Sequence, residues 1–401
     1  MFIFIPIIIA VFAAAAIQSR IFDKNTPKNL TYRAFFSSDE VFEGESIFLY
    51  EELTNGKSLP VPNAKIYTDL PDGLKLHLVG NGKKEDSYED SIQSIFVMRG
   101  HEQIRRRWRV SCEKRGIYRA SNANIITCDI LGLSSSSFPA KYEKTDGKPE
   151  AITVLPRAVD LDAYFTSSQL PDGSYAVLKS LITDPLMMCG ARPYTELDPM
   201  SKINWKLSAK TGELTVNTEE PVRKHSFNII MNMQSRTIEQ IAHVAGNPAS
   251  VELCITVCAS ILDSIAAENI PVKIYMNSPP EMLESFGAYA LSEEKTDDQI
   301  TATQIYCGRS DTLSALRLLA ALPAEYSCGF EALLDSASSD PSLYAGHSNI
   351  IVISSYICER MIIFYENMRA QGINVIFYIT TVNQNAQVIP EHIPVFYRSY
   401  K

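Results

Sequence analysis

The stretch "HSFNIIMNM", residues 225–233, is a near-continuous apolar run and decides the fold of the second half of the chain. Similar runs follow it at 271–277 ("PVKIYMN"), 348–355 ("SNIIVISS") and 374–381 ("NVIFYITT"). The pattern between the runs predicts helices at about 249–268, 310–322 and 357–371. Apolar strands separated by helices indicate a mainly parallel sheet in a doubly wound α/β domain. Ligands of such sheets bind beyond the carboxyl ends of the strands, which points first to the loop after residue 231.

The first half has a different sequence pattern, in which short runs typical of β-strands, such as "SIFLYEEL" and "QIRRRWRVS", are separated by Gly and Pro. This spacing predicts an antiparallel, immunoglobulin-like sandwich over residues 30–150, whose polar end, 134–150, is expected to be a loop. The basic stretch "RRRWRVSCEKRGIYR", residues 105–119, partly alternates as a strand does, which favours an exposed sheet face over a nucleic-acid site. A connector is expected at 151–222 and the α/β domain at 223–401.

The N-terminus carries no charged side chain over its first 17 residues, "MFIFIPIIIAVFAAAAI". This length is at the short limit for a membrane-spanning helix, and we predict an anchor over residues 1–19. A cleavable signal peptide is the alternative, although the basic segment that precedes the apolar run in such peptides is missing. Because Arg20, Lys24, Lys28 and Arg33 follow the run, the positive-inside rule predicts a single-pass cell-membrane protein with a cytoplasmic body.

Charge and cysteine content narrow the functional classes. The net charge of -9 argues against a general nucleic-acid binder, which gains affinity by neutralising phosphates. The eight cysteines show no CxxC pair and no zinc spacing, and most lie in apolar surroundings, so a reduced compartment is expected. We find no catalytic constellation and predict neither a cofactor nor a bound metal.

A polar stretch, "GARPYTELDPMSKINWKLSAKTGELTVNTEEP" at 190–221, joins the two halves. Asp198 followed by Pro199 is a good helix start, and Gly212 is a good stop. Met200, Ile203 and Leu207 recur at helical spacing and predict one buried stripe. Another face carries a row of lysines, Lys202, Lys206 and Lys210, which is either a solvated face or a docking surface.

The same stretch resembles the signature of the bacterial domain-of-unknown-function family 58. The matching positions are Arg192, Tyr194, Asp198, Lys202, Asn204, Trp205, Ser208, Ala209, Gly212, Glu213 and Leu214. Further similar segments lie at 42–66, 114–133 and 154–159, so the resemblance covers nearly the whole chain. Leu197 stands where this family usually has Gly, and Lys202 replaces its usual Arg, which weakens any bidentate contact there.

The resemblance implies that the last domain is similar to the von Willebrand factor A fold, whose metal site uses an Asp-x-Ser-x-Ser loop after the first strand. At the matching loop the chain has Asn232, Gln234 and Arg236, and Ser355 stands at a second position that is commonly acidic. Because Mg²⁺ prefers carboxylate oxygens, we expect no useful metal binding. Asn232 and Gln234 are expected to bond a partner's backbone, and Arg236 to meet a partner's carboxylate.

Three functions compete at this stage. The first is a non-catalytic, membrane-anchored scaffold or adaptor for protein partners, which the resemblance links to a MoxR-type AAA+ ATPase in cell-envelope protein assembly or maturation. The second is an enzyme with a site around Arg192, Tyr194 and Asp198, and the third is an extracellular adhesion protein, which eight free thiols disfavour. Under the first hypothesis, the signature is a structural clasp between the domains, with Trp205 and Tyr194 buried at the junction.

Overall fold

The computed structural model divides the 401-residue chain into two units, Met1–Arg157 and Ala158–Lys401. The residues that the structure describes are 4–78, 87–119, 123–129, 135–140, 149–166, 188–195, 200, 203–219, 226–238, 243–266, 268–291, 299–344, 348–380, 390 and 392–398.

Among its described residues, the first unit has one helix followed by short strands. These elements are α1 (Phe4–Asn25), β1 (Leu30–Phe36), β2 (Glu40–Phe42), β3 (Ser46–Asn55), β4 (Val61–Asp69), β5 (Leu74–Leu78), β6 (Ser87–Glu89), β7 (Ser91–Met98), β8 (Gln103–Cys112), β9 (Gly116–Arg119), β10 (Ala123–Cys128), β11 (Ser135–Pro139) and β12 (Ala151–Leu155).

The strands form a β-sandwich, which confirms the predicted fold of this part of the chain. One sheet has the order β1-β3-β8-β5-β6, a second has the order β11-β10-β4-β7, and a third joins β2, β12 and β9. Strand β7 alternates strictly between exposed and buried residues, as a half-buried strand should. Its inward residues, including Ile92 and Phe96, belong to a common core with Leu49, Ile66 and Val110.

Two boundaries differ from the sequence-based expectation. Part of the predicted loop at 134–150 is strand β11, which pairs with β10 from Ser135 to Pro139. Its serines gave a turn-like composition, but an edge strand tolerates them because one side faces solvent. Strand β12, expected in the connector, pairs with β2 and β9 in the first unit.

Helix α1 is attached to the sandwich by a lysine at the turn between β3 and β4. The Nζ of Lys57 donates to the carbonyl oxygens of Asn25 at 2.9 Å and Lys28 at 3.2 Å, and also to that of Thr26. Carbonyls at a helix C-terminus lack partners within the helix, so an ammonium group satisfies them and complements the helix dipole. Burial lowers the pKa of Lys57 to about 8.

A carboxylate lies in the middle of the sandwich core. Glu51 is fully buried and accepts hydrogen bonds from the Tyr32 hydroxyl at 2.7 Å, the Thr68 hydroxyl at 3.1 Å and the Trp108 indole N–H at 2.7 Å, and from the Ser94 hydroxyl. These donors come from β1, β4, β7 and β8, so both main sheets contribute. A buried carboxylate is tolerated only when its oxygens are bonded in this way.

The second unit alternates helices and strands. Its elements are α2 (Leu161–Tyr164), β13 (Phe165–Thr166), β14 (Met188–Pro193), α3 (Trp205–Thr211), β15 (Thr215–Glu219), β16 (Ser226–Met231), α4 (Pro248–Ala266), β17 (Val272–Met276), β18 (Ala288–Ala290), β19 (Thr301–Thr303), α5 (Gly308–Ala321), α6 (Phe330–Ser339), β20 (Ser348–Ser354), α7 (Glu359–Ala370), β21 (Asn374–Ile379) and β22 (Val395–Arg398), with short 3-10 turns at Pro280–Met282, Glu284–Phe286 and Pro341–Tyr344.

The large sheet of this unit has the order β13-β22-β21-β20-β16-β17-β19-β18. The strands β22, β21, β20, β16 and β17 run parallel, and β19 pairs antiparallel with β17. Helices α6 and α7 share a core with Ile230, Val352 and Phe377. Helix α4 contacts β16 and β20 and packs beside α5. Successive strand residues point to opposite faces of a sheet. Helices α6 and α7 cover one face, and the pair α4 and α5 covers the opposite face.

The four predicted apolar strands and the three predicted helices are present in this unit. Helix α6 and the short strands β18, β19 and β22 were not predicted. The sequence of α6, "FEALLDSASS", is short and follows Gly329, and its apolar face is completed only by packing on β17 and α7. The strands β18 and β19 have three residues each, too few to show a periodic pattern.

Helix α4 is apolar and long enough to cross a membrane by length and composition alone. However, 67% of its apolar window is buried inside the protein, as in the core helix of an α/β domain.

The two cysteines of helix α4 are fully buried. Burial raises the pKa of the Cys254 thiol to about 12 and raises that of Cys258 further, so neither thiol is a nucleophile near neutral pH.

The Glu51 cluster yields a stability prediction. Glu51→Ala would leave several buried donors without an acceptor, each costing about 1–3 kcal/mol, so we expect a loss of at least about 3 kcal/mol. Urea unfolding followed by Trp108 fluorescence in a Trp205→Phe background measures this, because these are the two tryptophans of the chain. Glu113→Ala is the control, since its ion pair with Lys75 is exposed and should contribute little to the free energy of unfolding. Equal urea midpoints for the two variants would contradict the assignment.

Candidate functional site

The carboxyl ends of the parallel strands meet at one edge of the large sheet, where polar side chains form a connected group. We define the polar cluster as Asn232, Gln234, Asn277, Ser354, Ser355 and Tyr356. They follow or end strands β16, β17 and β20. All are buried, and Asn232, Asn277 and Ser354 are inaccessible to solvent.

Two asparagines form the centre of the polar cluster. The Asn232 Nδ2 donates to the Ser354 hydroxyl at 3.0 Å, and its Oδ1 accepts from the Gln234 backbone N–H at 2.9 Å. The Asn277 Oδ1 accepts from the Met233 backbone N–H at 2.7 Å. The Asn277 Nδ2 lies 2.8 Å from the Cys328 carbonyl oxygen and 3.3 Å from the Asn232 Oδ1. These bonds connect the loops after β16 and β17 to the end of β20.

Gln234 and Ser355 close the outer part of the cluster. The Gln234 Oε1 accepts from the Phe330 N–H at 3.1 Å and from the Tyr356 hydroxyl at 2.8 Å. The Ser355 hydroxyl lies 3.0 Å from the carbonyl oxygen of Gln234 and 2.9 Å from that of Ser235, so it donates to one of them at a time. The polar atoms of this loop are therefore engaged within the domain.

The residues of the polar cluster do not fit a magnesium or manganese ion. Such ions need an octahedral set of oxygens, usually with one or two carboxylates, and the cluster contains amides and hydroxyls only. Its amide oxygens already accept internal hydrogen bonds. Within the described part of the chain, no three His, Cys, Asp or Glu side chains lie close enough to hold a metal ion.

The loop residues differ in their access to a partner. The expectation that Asn232 and Gln234 bond a partner's backbone is wrong, because both side chains are buried and bonded internally. Arg236 is exposed, and nearby Ile238 is 85% exposed. The part of this loop that a partner can reach is therefore its rim.

A cavity of about 410 Å³ opens at the same edge of the sheet. Its lining includes His243, Glu281, Glu325 and Tyr326. Ser327 connects the cavity to the polar cluster, because it lines the cavity and its N–H donates to the Asn277 carbonyl at 2.8 Å. Sequence reasoning missed both the cavity and Asn277; the position of Asn277 directly after an apolar strand was the available signal.

The signature stretch forms a local motif in which β14 pairs with β15 and α3 lies between them. Helix α3 begins at Trp205, where the Asn204 side chain accepts from the Leu207 N–H at 3.0 Å and caps the helix. The predicted helix start at Asp198 and Pro199 lies outside the described residues. Gly212 ends the helix with a φ of 74°, as predicted. The Ser208 hydroxyl accepts from the Thr215 N–H at 2.9 Å and ties the helix to β15.

The other signature residues do not form a described catalytic group. Arg192 is exposed on β14, and its guanidinium donates to the Pro193 carbonyl at 3.3 Å. The Tyr194 N–H donates to the Leu214 carbonyl at 2.8 Å. Asp198 and Lys202 lie outside the described residues, while Lys206 and Lys210 are exposed.

Trp205 was expected to be buried, but it is not buried within the second unit. Its side chain is 63% exposed, and Met200, expected in a buried stripe, is 70% exposed. Ile203 is buried through a β-bridge with Val216. The motif is therefore held by caps and backbone pairing rather than by the tryptophan.

Comparisons with known proteins give distant similarities of part of the chain. No protein-family model and no curated protein matches the sequence. Among solved structures, the CARDB domain of a Pyrococcus furiosus protein is similar at 13% identity, with 32% of this chain and 94% of that chain covered and a TM-score of 0.20. A type I cohesin from Pseudobacteroides cellulosolvens gives 12% identity, 32% and 95% coverage, and a TM-score of 0.21. With scores this low, the fold rests on the strand pairing of the chain itself.

The polar cluster predicts a large effect from one small substitution. Gln234→Ala would leave the Phe330 N–H and the Tyr356 hydroxyl without their acceptor, and we expect a loss of about 2–4 kcal/mol. Thermal and urea unfolding of the full chain measure it. Gln304→Ala, which changes an exposed glutamine of the same unit, is the control. If the two variants unfold alike, the cluster does not stabilise the loop.

In contrast to Gln234→Ala, a substitution of Trp205 should have little effect on stability. Because its side chain is largely exposed, Trp205→Ala should change the free energy of unfolding by no more than about 0.5 kcal/mol. The truncation of a buried tryptophan costs about 3–5 kcal/mol. A thermal unfolding measurement separates the two values, and a loss in the larger range would restore the clasp hypothesis.

Proposed function

We propose that this protein is a non-catalytic adaptor, anchored in the cell membrane, whose α/β unit binds protein partners at the carboxyl edge of its large sheet. The observation that carries the proposal is the polar cluster. The edge where doubly wound sheets bind ligands holds buried amides and hydroxyls that bond one another. Such an edge offers a rigid surface with an exposed rim rather than a reactive group.

The finer fold assignment belongs to the same proposal. A sheet of parallel strands in which β16 lies between β17 and β20, with antiparallel β19 beside β17, supports a von Willebrand factor A-like domain. The antiparallel pairing of the first unit supports an immunoglobulin-like sandwich. The combination, with the signature stretch, supports membership of the bacterial domain-of-unknown-function family 58 and hence a MoxR-type AAA+ ATPase as the partner.

The membrane anchor is supported by helix α1. Its 22 residues would span roughly 33 Å at 1.5 Å per residue, close to the hydrocarbon thickness of a bilayer. Its apolar side chains Ile9, Phe12 and Ile17 are each at least 60% exposed, which is costly in water and favourable in lipid. The basic residues that follow the apolar run favour a cytoplasmic body.

The anchor can be tested by placing charge in the apolar run. Ile9→Lys combined with Phe12→Lys should release the protein from the membrane, because each lysine near the centre of a spanning helix costs about 2.5–3.5 kcal/mol. Carbonate extraction of membranes followed by immunoblotting measures the bound fraction. Ile238→Lys, at an exposed site of the second unit, is the control and should stay membrane-bound. Retention of the double variant would rule out the anchor.

Partner binding should use the rim and need no metal. We expect a detergent-solubilised full chain to bind a MoxR-type ATPase from the same genome equally well in magnesium and in a chelator. Arg236→Ala should weaken that binding by about tenfold or more, since a desolvated charge-assisted contact contributes about 1.5–3 kcal/mol.

The matched control is Arg309→Ala. Arg309 is exposed near Asn269, which precedes β17, and so lies at the opposite end of the sheet. Loss of ATPase binding on adding the chelator, or equal effects of the two arginine substitutions, would contradict the proposal.

A further inference from the structure

The sandwich carries a basic face that its fold does not require. Strand β8 is the middle strand of the order β1-β3-β8-β5-β6, and its residues Arg105, Arg107 and Arg109 are all exposed. Alternate residues of a strand point to the same face and lie about 7 Å apart. The three guanidinium groups therefore form a row across the centre of the outer face.

Aromatic rings from the neighbouring strands support this row. The Arg107 guanidinium lies 4.6 Å from the centre of the Phe48 ring, and that of Arg105 lies 5.8 Å from the centre of Phe35. Phe35 in turn stacks on Tyr50 at 5.2 Å. Guanidinium groups that lie over aromatic rings are held in place while keeping their hydrogen-bond donors available.

The charges of the row are only partly balanced. Arg105 forms an ion pair with Glu52, whose side chain is nearly buried and also accepts from Gln103 at 3.2 Å. Within the part of the chain that the structure describes, no carboxylate pairs with Arg107 or Arg109. Two exposed arginines with no acidic partner among the described residues, in a protein of net charge -9, form a local positive patch.

We propose that this face, Arg105, Arg107 and Arg109 with Phe48, binds a protein segment that carries closely spaced aspartate or glutamate side chains. An extended acidic segment repeats its carboxylates at about the same 7 Å spacing, and arginine binds carboxylates through paired N–H donors. Nucleic acid is the less favoured occupant, because the rest of the chain is acidic and would repel phosphates. The inference rests on the proposed function in that the segment belongs to a protein partner.

Fluorescence anisotropy tests the proposal with a short fluorescein-labelled peptide of alternating glutamate and threonine and the full chain in detergent. We expect saturable binding that weakens by about tenfold or more in the double variant Arg107→Glu with Arg109→Glu. Arg107→Gln with Arg109→Gln keeps the test decisive if charge reversal impairs folding, and should also weaken binding. Lys206→Glu with Lys210→Glu makes the same charge change on α3 of the second unit and should bind the peptide as the parent does.

Several outcomes would overturn the proposal. They are the absence of peptide binding by the parent chain, an equal loss in the lysine control, and tighter binding of a single-stranded DNA of matched length than of the acidic peptide. The assay concerns the sandwich face alone. A failure here with intact, Arg236-dependent ATPase binding would leave the proposed function standing, and the reverse result would leave the acidic-segment site standing.

Discussion

Hydrogen bonds among the buried amides and hydroxyls of the polar cluster, at the carboxyl edge of the large sheet, fix the loops of the candidate site in the second unit. Asn232 and Asn277 directly follow the adjacent strands β16 and β17. Their side-chain amides donate hydrogen bonds to, and accept them from, the loops beyond these strands. Because an unbonded amide in this position would cost about 1–3 kcal/mol, the loops are fixed to one another. The exposed rim at Arg236 and Ile238 is presented on this fixed base.

The sandwich also contains a buried polar group that internal hydrogen bonds hold in place, but here the group is a carboxylate. Its core contains a carboxylate, Glu51, that is held by hydroxyl and indole donors from both main sheets. On the outer face, Glu52 is bonded by Arg105 and Gln103. Two successive glutamates of one strand thus serve opposite faces, as the two-residue period of a strand requires.

Much of the fold could be predicted from the sequence, because long apolar runs indicate buried strands and alternating runs indicate half-buried strands. The three-residue strands β18 and β19 and the short helix α6 were too short to show a detectable periodic pattern. The polar stretch at 190–221 misled in one respect: Trp205 was expected to be buried as part of a clasp, whereas its side chain is largely exposed. The Asn204 cap and the bond from the Thr215 N–H to the Ser208 hydroxyl hold the motif, and neither could be read from the spacing of its apolar residues.

The sequence pointed to the loop after β16 as the candidate site, but it did not show which side chains form the polar cluster there. The absence of carboxylates at Asn232, Gln234 and Ser355 was visible, and it predicted a site unsuited to a metal. What could not be seen was Asn277, which comes from another strand, and the resulting burial of the amides that were expected to face a partner.

Isothermal titration of the full chain with magnesium and with manganese tests the central claim most directly, that internal hydrogen bonds and not a cation complete the carboxyl edge. Because the amide oxygens of the polar cluster already accept internal hydrogen bonds, we expect no saturable heat with either ion. Stoichiometric, tight uptake that Gln234→Ala abolishes would contradict it, because the Gln234 side chain would then be a ligand and not a member of a closed hydrogen-bonded cluster.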